Sequence, residues 1–432
     1  MSSSEERIAI VKERLNQKEV KEPLLERFLR YVKIHTTSDS SQTKKPSTER
    51  QFVLGNLLLE ELRSLGVQEV SIDEHCYVIG KIPATKGYEN VPSIAFMSHI
   101  DTSEDCSGEN VKPQIHENYD GFSIIEVGHG IFIDPQTTPQ ITKCIGDTII
   151  TSDGTTLLGG DDKCGISEIM TAVDYILNIS PFPHGPIEVI FSSDEEIGRG
   201  TLYFPIEKIS SKFGYTIDGD LEGNYSYENF NAITAKLTFH GFTCHPGDAY
   251  HKLINANFMA SAFVSMLPTN ELPESTFGKD GFFFVKNIDG NVETANVTLF
   301  IRDFEEEGIK SRIENLELFA KAVEAKFKGG KVDMQLDRTG SNMYNAMKKD
   351  MRVVRFLEKA MCNVGIVPSV EAIRGGTDGS RLSTNYGILT PNIFTGSDNI
   401  HSKAEFACLG QMVGVVRIII ELIKIWAENK EI

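Results

Sequence analysis

The stretch VIFSSDEEIGRG, Val189 to Gly200, decides the fold. Its apolar run, Val189-Ile190-Phe191, reads as a buried strand. The run ends in three successive acids, Asp194, Glu195 and Glu196, whose charges repel one another. Two other segments have the same form: SIAFMSHID (93–101) stops at His99 and Asp101, and GYTIDGD (214–220) stops at Asp218. Between them, TLLGGDDKCGISEIMTAVDYIL (156–177) passes from a Gly-rich turn into a helix with Ile166, Ile169, Met170, Val173 and Ile176 on its apolar face. Strands alternating with helices imply an α/β layer with a largely parallel sheet. Ligands gather at the carboxyl ends of strands in such sheets, where these polar residues fall.

From about Asn231 the pattern changes. AITAKLTFHGF alternates as a strand, the helix NANFMASAFVSML follows, and a loop containing GKDGFFFV leads to the strand TANVTLFIRDF. A helix, IENLELFAKAVEAKF, and a strand, KVDMQLDR, complete a β-α-β…β-α-β order of ferredoxin-like kind. After about Ser341 the α/β texture returns. The expected organisation is a catalytic domain in two parts, 1–229 and 342–432, interrupted by an inserted α+β domain, 230–341. At the front, VSIDEHCYVIGKI reads as one exposed strand, and Thr48 as the cap of the helix beyond it.

Composition narrows the function. The chain has 432 residues, with 43 basic against 61 acidic and a formal net charge of −18, which speaks against a nucleic-acid surface. Seven widely spaced cysteines without a C-x-x-C fit a reducing, cytoplasmic setting better than a disulfide framework. The start, MSSSEERIAIVKERL, reads as a polar helix without the apolar core of a signal peptide. MVGVVRIIIELIKIWAENK carries Arg417, Glu421 and Lys424 and reads as a helix packed on a core, so no membrane span is expected.

Singly, each polar segment has an ordinary reading: a hydrogen-bonded His, a solvated acidic turn, an Asp at a helix start. Five together, with DNIHSKAEF adding His401, call for a common partner. A multivalent cation removes the repulsion between converging carboxylates and turns them into ligands. Imidazole with carboxylate suits zinc, and also cobalt or manganese; without cysteine ligands the site leans catalytic. An excess of carboxylates points to a metal pair sharing one of them. His99 and Asp101 lie on one face of an extended segment, so Asp101 can orient the imidazole. Glu195 and Glu196 point apart, so one can bind metal while the other serves as general base.

The ordered series H-x-D, G-x-D-D-K-x-G, E-E, a lone D after a strand and a late H resembles the di-zinc peptidases of the M20 family, in particular its tripeptide aminopeptidases. The resemblance rests on SHIDTSEDCSGENVKPQI, TLLGGDDKCGISEIMTA, YTIDGDLEGNYSYENFNA, RGGTDGSRLS and NIHSKAEF and runs nearly the whole chain. It implies a zinc-peptidase-like catalytic domain with a mixed sheet flanked by helices, an inserted lid or dimerisation domain that allows for a homodimer, and two zinc ions per chain. It implies His99 and His401 as terminal ligands, Asp161 as the bridge, Glu196 and Asp218 completing the shells, Asp101 behind His99, and Glu195 as general base. A cis peptide bond after Asp161 is also implied. In the inserted domain the H-P-G segment makes His245 a candidate substrate contact, and Arg302 and Arg374 are candidates for gripping carbonyl or carboxylate oxygens. Cys164 and Cys244 depart from the family pattern, as thiols beside expected site residues. The implied substrates are small peptides. Dipeptidase, carboxypeptidase and N-acyl amino acid deacylase activities share these ligands, and a non-catalytic scaffold is disfavoured by the presence of both Asp101 and Glu195.

Overall fold

The computed structural model describes residues 4–429; the polar start 1–3 and the terminal 430–432 lie outside the described residues. The chain forms two compact units. One runs up to Tyr227 and resumes with Ala346–Glu371 and from Thr377 on; the other comprises Glu228–Asn345 and Ala372–Gly376.

The first unit is built on an eight-stranded mixed sheet. Its order is Glu69–Ile72, Val78–Ile82, Ile187–Ser192, Ile94–His99, Phe213–Gly219, Asn392–Phe394, Asn224–Ser226, Ser369–Val370. Ile187–Ser192, Ile94–His99, Phe213–Gly219 and Asn392–Phe394 run parallel at its centre. Every residue of Ile94–His99 and of Ile187–Ser192 is buried, as a strand covered on both faces must be. On one face Tyr77, Ile79, Ala95, Met97 and Ile190 cluster with Phe204, Leu382 and Ile388. The helix Gly160–Asp174 packs on Ile94–His99 and Phe213–Gly219, with the helix Leu409–Glu428 against it. Gly165 permits that contact: a Cβ there would stand 2.1 Å from the carbonyl oxygen of Ile217. The close approach brings the first residues of the helix, Asp161 and Asp162, next to the strand ends. Sixteen of the twenty residues of Leu409–Glu428 are buried, which makes it a core helix, and no described helix is long and apolar enough to cross a membrane.

Two local expectations differ from the structure, and one sheet was not anticipated. VSIDEHCYVIGKI is an antiparallel hairpin of Glu69–Ile72 and Val78–Ile82, because the Asp73 carboxylate accepts the N–H groups of His75 (3.0 Å) and Tyr77 (2.9 Å) and turns the chain. Thr48 donates its hydroxyl to the Thr37 carbonyl (2.9 Å), and the helix Gln51–Ser64 begins without a side-chain cap. A small second sheet joins Ser397–Asp398, Phe406–Cys408, Ile149–Thr151 and Gln114–His116. Strands of two or three residues carry no readable period, yet this sheet presents His401 in the connection between its first two strands.

The other unit is a four-stranded antiparallel sheet in the order Phe282–Gly290, Thr294–Asp303, Asn231–His240, Lys331–Gly340. With the helices Ala256–Val264 and Glu306–Lys326 this is the ferredoxin-like arrangement. Residues on alternate positions of Asn231–His240 and Thr294–Asp303 form its core, including Ile233, Leu237, Val297 and Leu299. GKDGFFFV, read as loop, leads into the edge strand Phe282–Gly290. Ala372–Gly376 belongs to this unit although the sequence reading placed all of 342–432 in the catalytic domain. The Arg374 guanidinium supplies the physical reason: it donates to the carbonyls of Gly278 (2.8 Å) and Asp280 (3.0 Å) and to the Thr276 hydroxyl (2.9 Å).

Candidate metal centre and active site

His99 closes the strand Ile94–His99 and is 2% exposed. Its Nδ1 lies 3.0 Å from the backbone oxygen of Asp101 and 3.5 Å from that residue's carboxylate. Nε2 is therefore turned the other way, 2.9 Å from Asp161 Oδ1 and 3.6 Å from Asp218 Oδ1. His401 repeats the arrangement. Its Nδ1 faces Asp105 at 3.2 Å, and its Nε2 stands 3.2 Å from Asp161 Oδ2 and 2.9 Å from Glu196 Oε2. The two imidazoles thus meet the two different oxygens of one carboxylate. The ligand atoms of His99, Asp161 and Glu196 lie within 4.8 Å of one another, as do those of His99, Asp162 and Asp218. Asp162 accepts the Ser98 hydroxyl and the His99 N–H on Oδ2, while its Oδ1 is buried without a hydrogen-bond partner.

The cluster is electrostatically unsatisfied on its own. Burial, then the charge of Asp161, pushes Glu196 up to about 7. Burial raises Asp218 to about 6 against the pull of His99. Glu195 is held well above the usual carboxylate range by burial and by Asp378 and Asp218. The imidazoles show the converse: hydrogen bonds to Asp161 and Glu196 lift His401 to about 11. Burial opposes a charge on His99, yet Asp101, Asp161 and Asp218 outweigh it and hold the ring well above its ordinary value. Asp161, between the two imidazoles, is held down by their hydrogen bonds, whereas Glu195, Glu196 and Asp218 resist ionising, and a further positive charge at the centre would relieve them. Glu196 Oε1, buried without a hydrogen-bond partner, offers a further lone pair to such a charge. Oxygen and imidazole donors in this number fit a pair of divalent cations.

A family model described as Peptidase family M20/M25/M40 matches residues 158–425. The chain belongs to this family. It is 45% identical over 404 residues to the Peptidase T of Clostridium perfringens strain 13, covering 94% of this chain and 99% of that one. It is 42% identical over 412 residues to the Peptidase T of Geobacillus thermodenitrificans, covering 95% and 100%. Among solved structures, the fold is similar to that of aminopeptidase PepT from Bacillus cereus, with a TM-score of 0.74 at 23% identity over 94% of this chain and 99% of that one. A tripeptidase from Staphylococcus aureus gives 0.75 at 22% over 95% and 99%. The chain is accordingly a hydrolase acting as an exopeptidase.

In this M20 peptidase the loops that carry the acids are each held by another buried charge. Asp101, fully buried, accepts the N–H groups of Glu195 (3.0 Å) and Glu196 (3.2 Å) on its two oxygens. Its carboxylate therefore spans His99 and the acid pair, a wider task than orienting His99 alone. Asp194, the first of the three successive acids, is fully buried and accepts from the Ser47 N–H (2.7 Å), the Ser47 hydroxyl (2.6 Å) and the Gln51 amide (2.6 Å). The Gly-rich turn is held by Glu405, which the sequence reading passed over. Its carboxylate accepts the N–H groups of Leu158 (2.7 Å), Gly159 (2.8 Å) and Asp161 (3.1 Å). Burial lifts Glu405 to about 7 although those N–H groups pull it down. The only sequence signal was an acid four residues after His401, which is weak alone. The peptide bond between Asp161 and Asp162 is cis. Cys164 is buried with its sulfur 3.9 Å from Met412 Sδ, and burial raises the thiol well above its usual value.

His245, Arg302 and Arg374 all fall in the inserted unit. His245 is exposed, its Nδ1 accepting from Gly247 N–H at 3.1 Å. Arg302 donates to the carbonyls of Ile233 and Ile301 and lies 4.7 Å over the Phe300 ring. Arg374 stacks on Phe230 and Phe282 as well as holding the 276–280 loop.

Proposed function

We propose that this peptidase releases the N-terminal residue of tripeptides with the help of two divalent metal ions, zinc by preference, with cobalt or manganese able to substitute. The observation that carries the reading is the convergence of His99 and His401 on opposite oxygens of Asp161 while Asp101 ties the same centre to Glu195. His99, Asp161 and Asp218 would hold one ion, and His401, Asp161 and Glu196 the other, with Asp161 shared. Bound there, the ions polarise the scissile carbonyl and lower the pKa of the attacking water.

The remaining work falls to side chains of this chain. Glu195 removes the proton of the water and delivers it to the leaving amine. Asp101 keeps the base in place through its N–H and fixes the imidazole face that His99 turns inward. A small pocket walled by Met97, Ile190, Phe204 and Leu382 lies beside Glu195 and Asp218. Its apolar wall is the proposed contact for the first residue of the substrate. His245, Arg302 and Arg374 are proposed contacts for substrate carbonyl and carboxylate oxygens. For Arg374 this requires exchanging a carbonyl of the 276–280 loop for a substrate oxygen. A homodimer through the inserted unit and a cytoplasmic site of action complete the proposal; the latter is supported by seven cysteines, all free.

The test is a panel of trialanine, N-acetyl-trialanine and dialanine with metal-loaded protein. Hydrolysis of trialanine to alanine and dialanine, with the other two turned over at least tenfold more slowly, is the expected result. Equal cleavage of the acetylated peptide would replace the reading with a carboxypeptidase or deacylase.

A further inference from the structure

The loop that presents Glu195 and Glu196 is bracketed by a lysine with no part in the chemistry described so far. Lys45 is 7% exposed. Its Nζ lies 3.2 Å from the carbonyl oxygen of Ser193, 2.7 Å from that of Arg199, 2.8 Å from that of Gly200 and 2.9 Å from the Tyr77 hydroxyl. The ammonium also sits 4.4 Å from the centre of the Tyr77 ring. Tyr77 extends the contact by donating its own proton to the Gly200 and Leu202 carbonyls. Ser193 precedes the acids and Arg199 and Gly200 follow them, so one cation grips both ends of the eight-residue loop Ser193–Gly200. Ser47, just after Pro46, adds a second grip by donating its N–H and hydroxyl to Asp194 at the start of the acids.

A buried ammonium is costly unless its protons are all used. Here every one has an oxygen to meet, and each of those oxygens belongs to the base loop or to the tyrosine that supports it. Gly200 is placed to make this possible: a Cβ there would stand 2.0 Å from Asp378 Oδ2, so the chain passes between Lys45 and Asp378 only as glycine.

We propose that Lys45 is a positioning residue for Glu195: its buried ammonium fixes both ends of the Ser193–Gly200 loop and thereby sets where the base carboxylate stands. The proposal rests on the reading of Glu195 as general base. The residues facing the ammonium are Tyr77 and Asp73 from the hairpin turn, Asp194 and the Arg199 and Gly200 backbone from the loop, Asp101, and Asp378. His75 approaches the carbonyl of Lys45 rather than its ammonium, at 3.3 Å. Burial lowers the ammonium to about 8 against the attraction of Asp378, Asp194, Asp101 and Asp73. Loss of that proton removes the charge and one donor, so the grip on the loop slackens as the pH rises through this range.

The experiment compares native protein, Lys45→Met and Lys45→Arg, all loaded with zinc, on trialanine from pH 6 to 10. Lys45→Met should lower kcat by about ten- to a hundredfold, the scale expected when a reacting group is displaced by about an ångström. KM should stay within about twofold and zinc content unchanged. Native protein should show an alkaline limb in kcat near pH 8, absent in Lys45→Met and displaced upward in Lys45→Arg, whose guanidinium keeps its charge. Unchanged kcat in Lys45→Met overturns the proposal, as does a fall in kcat matched by loss of zinc. Should the Met variant not fold, an alkaline limb at the same pH in Lys45→Arg and native protein overturns it equally. Turnover by Glu195→Ala would instead refute the base assignment on which it stands.

Discussion

Glu405→Gln isolates the support of the Gly-rich turn from the metal ligands themselves. In the native chain one carboxylate oxygen accepts the N–H groups of Leu158 and Gly159, and the other accepts that of Asp161. The side chain is 1% exposed, so no solvent replaces a lost acceptor. Glutamine keeps the shape but has one acceptor oxygen. If that oxygen serves Leu158 and Gly159, the amide NH₂ is turned against the Asp161 N–H. One buried donor is then unsatisfied, at about 1–3 kcal/mol, and the loss falls on the residue that meets both imidazoles. The expected result is a lower thermal midpoint together with zinc affinity weakened by about ten- to a hundredfold, the range seen for partners that stand behind metal ligands. Glu405→Leu would strand all three donors, a cost of about 3–9 kcal/mol that rivals the stability of a whole domain, so the glutamine variant is the informative one. Zinc affinity is measured by competition with a chromogenic chelator, and stability by thermal unfolding of chelator-treated protein. Native zinc affinity and a native midpoint in Glu405→Gln would refute the argument that this carboxylate holds the turn.

Glu195→Ala should abolish turnover of trialanine while zinc content stays near two per chain, because the residue is read as base and not as ligand; proportional loss of zinc, measured by plasma emission, would reassign it. The metal-free protein should lose stability as the pH rises from about 5 to 9. The folded-state pKa values of His401 (about 11), Glu196 (about 7) and Asp218 (about 6) all lie above the unfolded values. The folded chain therefore binds more protons than the unfolded one through this window, and stability present at low pH is lost as those protons leave. Asp161 is shifted the opposite way, but it titrates below the window; the lowered Lys45 (about 8) and Lys163 (about 7) oppose the trend only in its upper part, where His401 and His99 still hold their extra protons. Zinc should flatten the slope, and thermal midpoints that rise with pH in the metal-free protein would contradict the charge balance described for the cluster.

Much of this arrangement could be read from the chain because strand ends announce themselves. SIAFMSHID and IEVIFSSDEE each hold a six-residue buried strand, Ile94–His99 and Ile187–Ser192, with an acid two residues beyond its end, and an apolar run meeting polar residues is visible without knowing any contact. His401 is the instructive exception. It is held by a sheet of two- and three-residue strands, too short to carry a period, so the sequence shows it as one of five polar segments and not through any strand that frames it. Glu405 and Lys45 were hidden for a different reason. Each acts on backbone N–H or C=O groups from segments more than 140 residues away, and backbone groups leave no mark in a sequence. The hairpin at Asp73 was missed because an Asx turn depends on where the carboxylate points, and EH in the middle of an alternating run masked it.

The division of charges suggests why the centre needs so many buried ionic groups. The prospective ligands must converge while their own charges drive them apart, so none of them can supply the force that holds its loop in place. Asp101 holds the acid pair, Glu405 holds the turn before Asp161, and Asp194 with Lys45 holds the two ends of the base loop. Each does so by accepting from or donating to main chain, at a site where water has been excluded and such bonds are strongest. Three of these four supports are themselves acids, which adds to the negative potential that a cation would meet. The three acids that fix the geometry therefore also raise the affinity for metal, and removing any one of these acids should weaken metal binding through position and through charge together. Lys45 is the one support of opposite sign. It lies on the side of the loop that faces Tyr77 and the Ser193, Arg199 and Gly200 carbonyls, where a cation steadies the base without competing for the ligand atoms of Asp161.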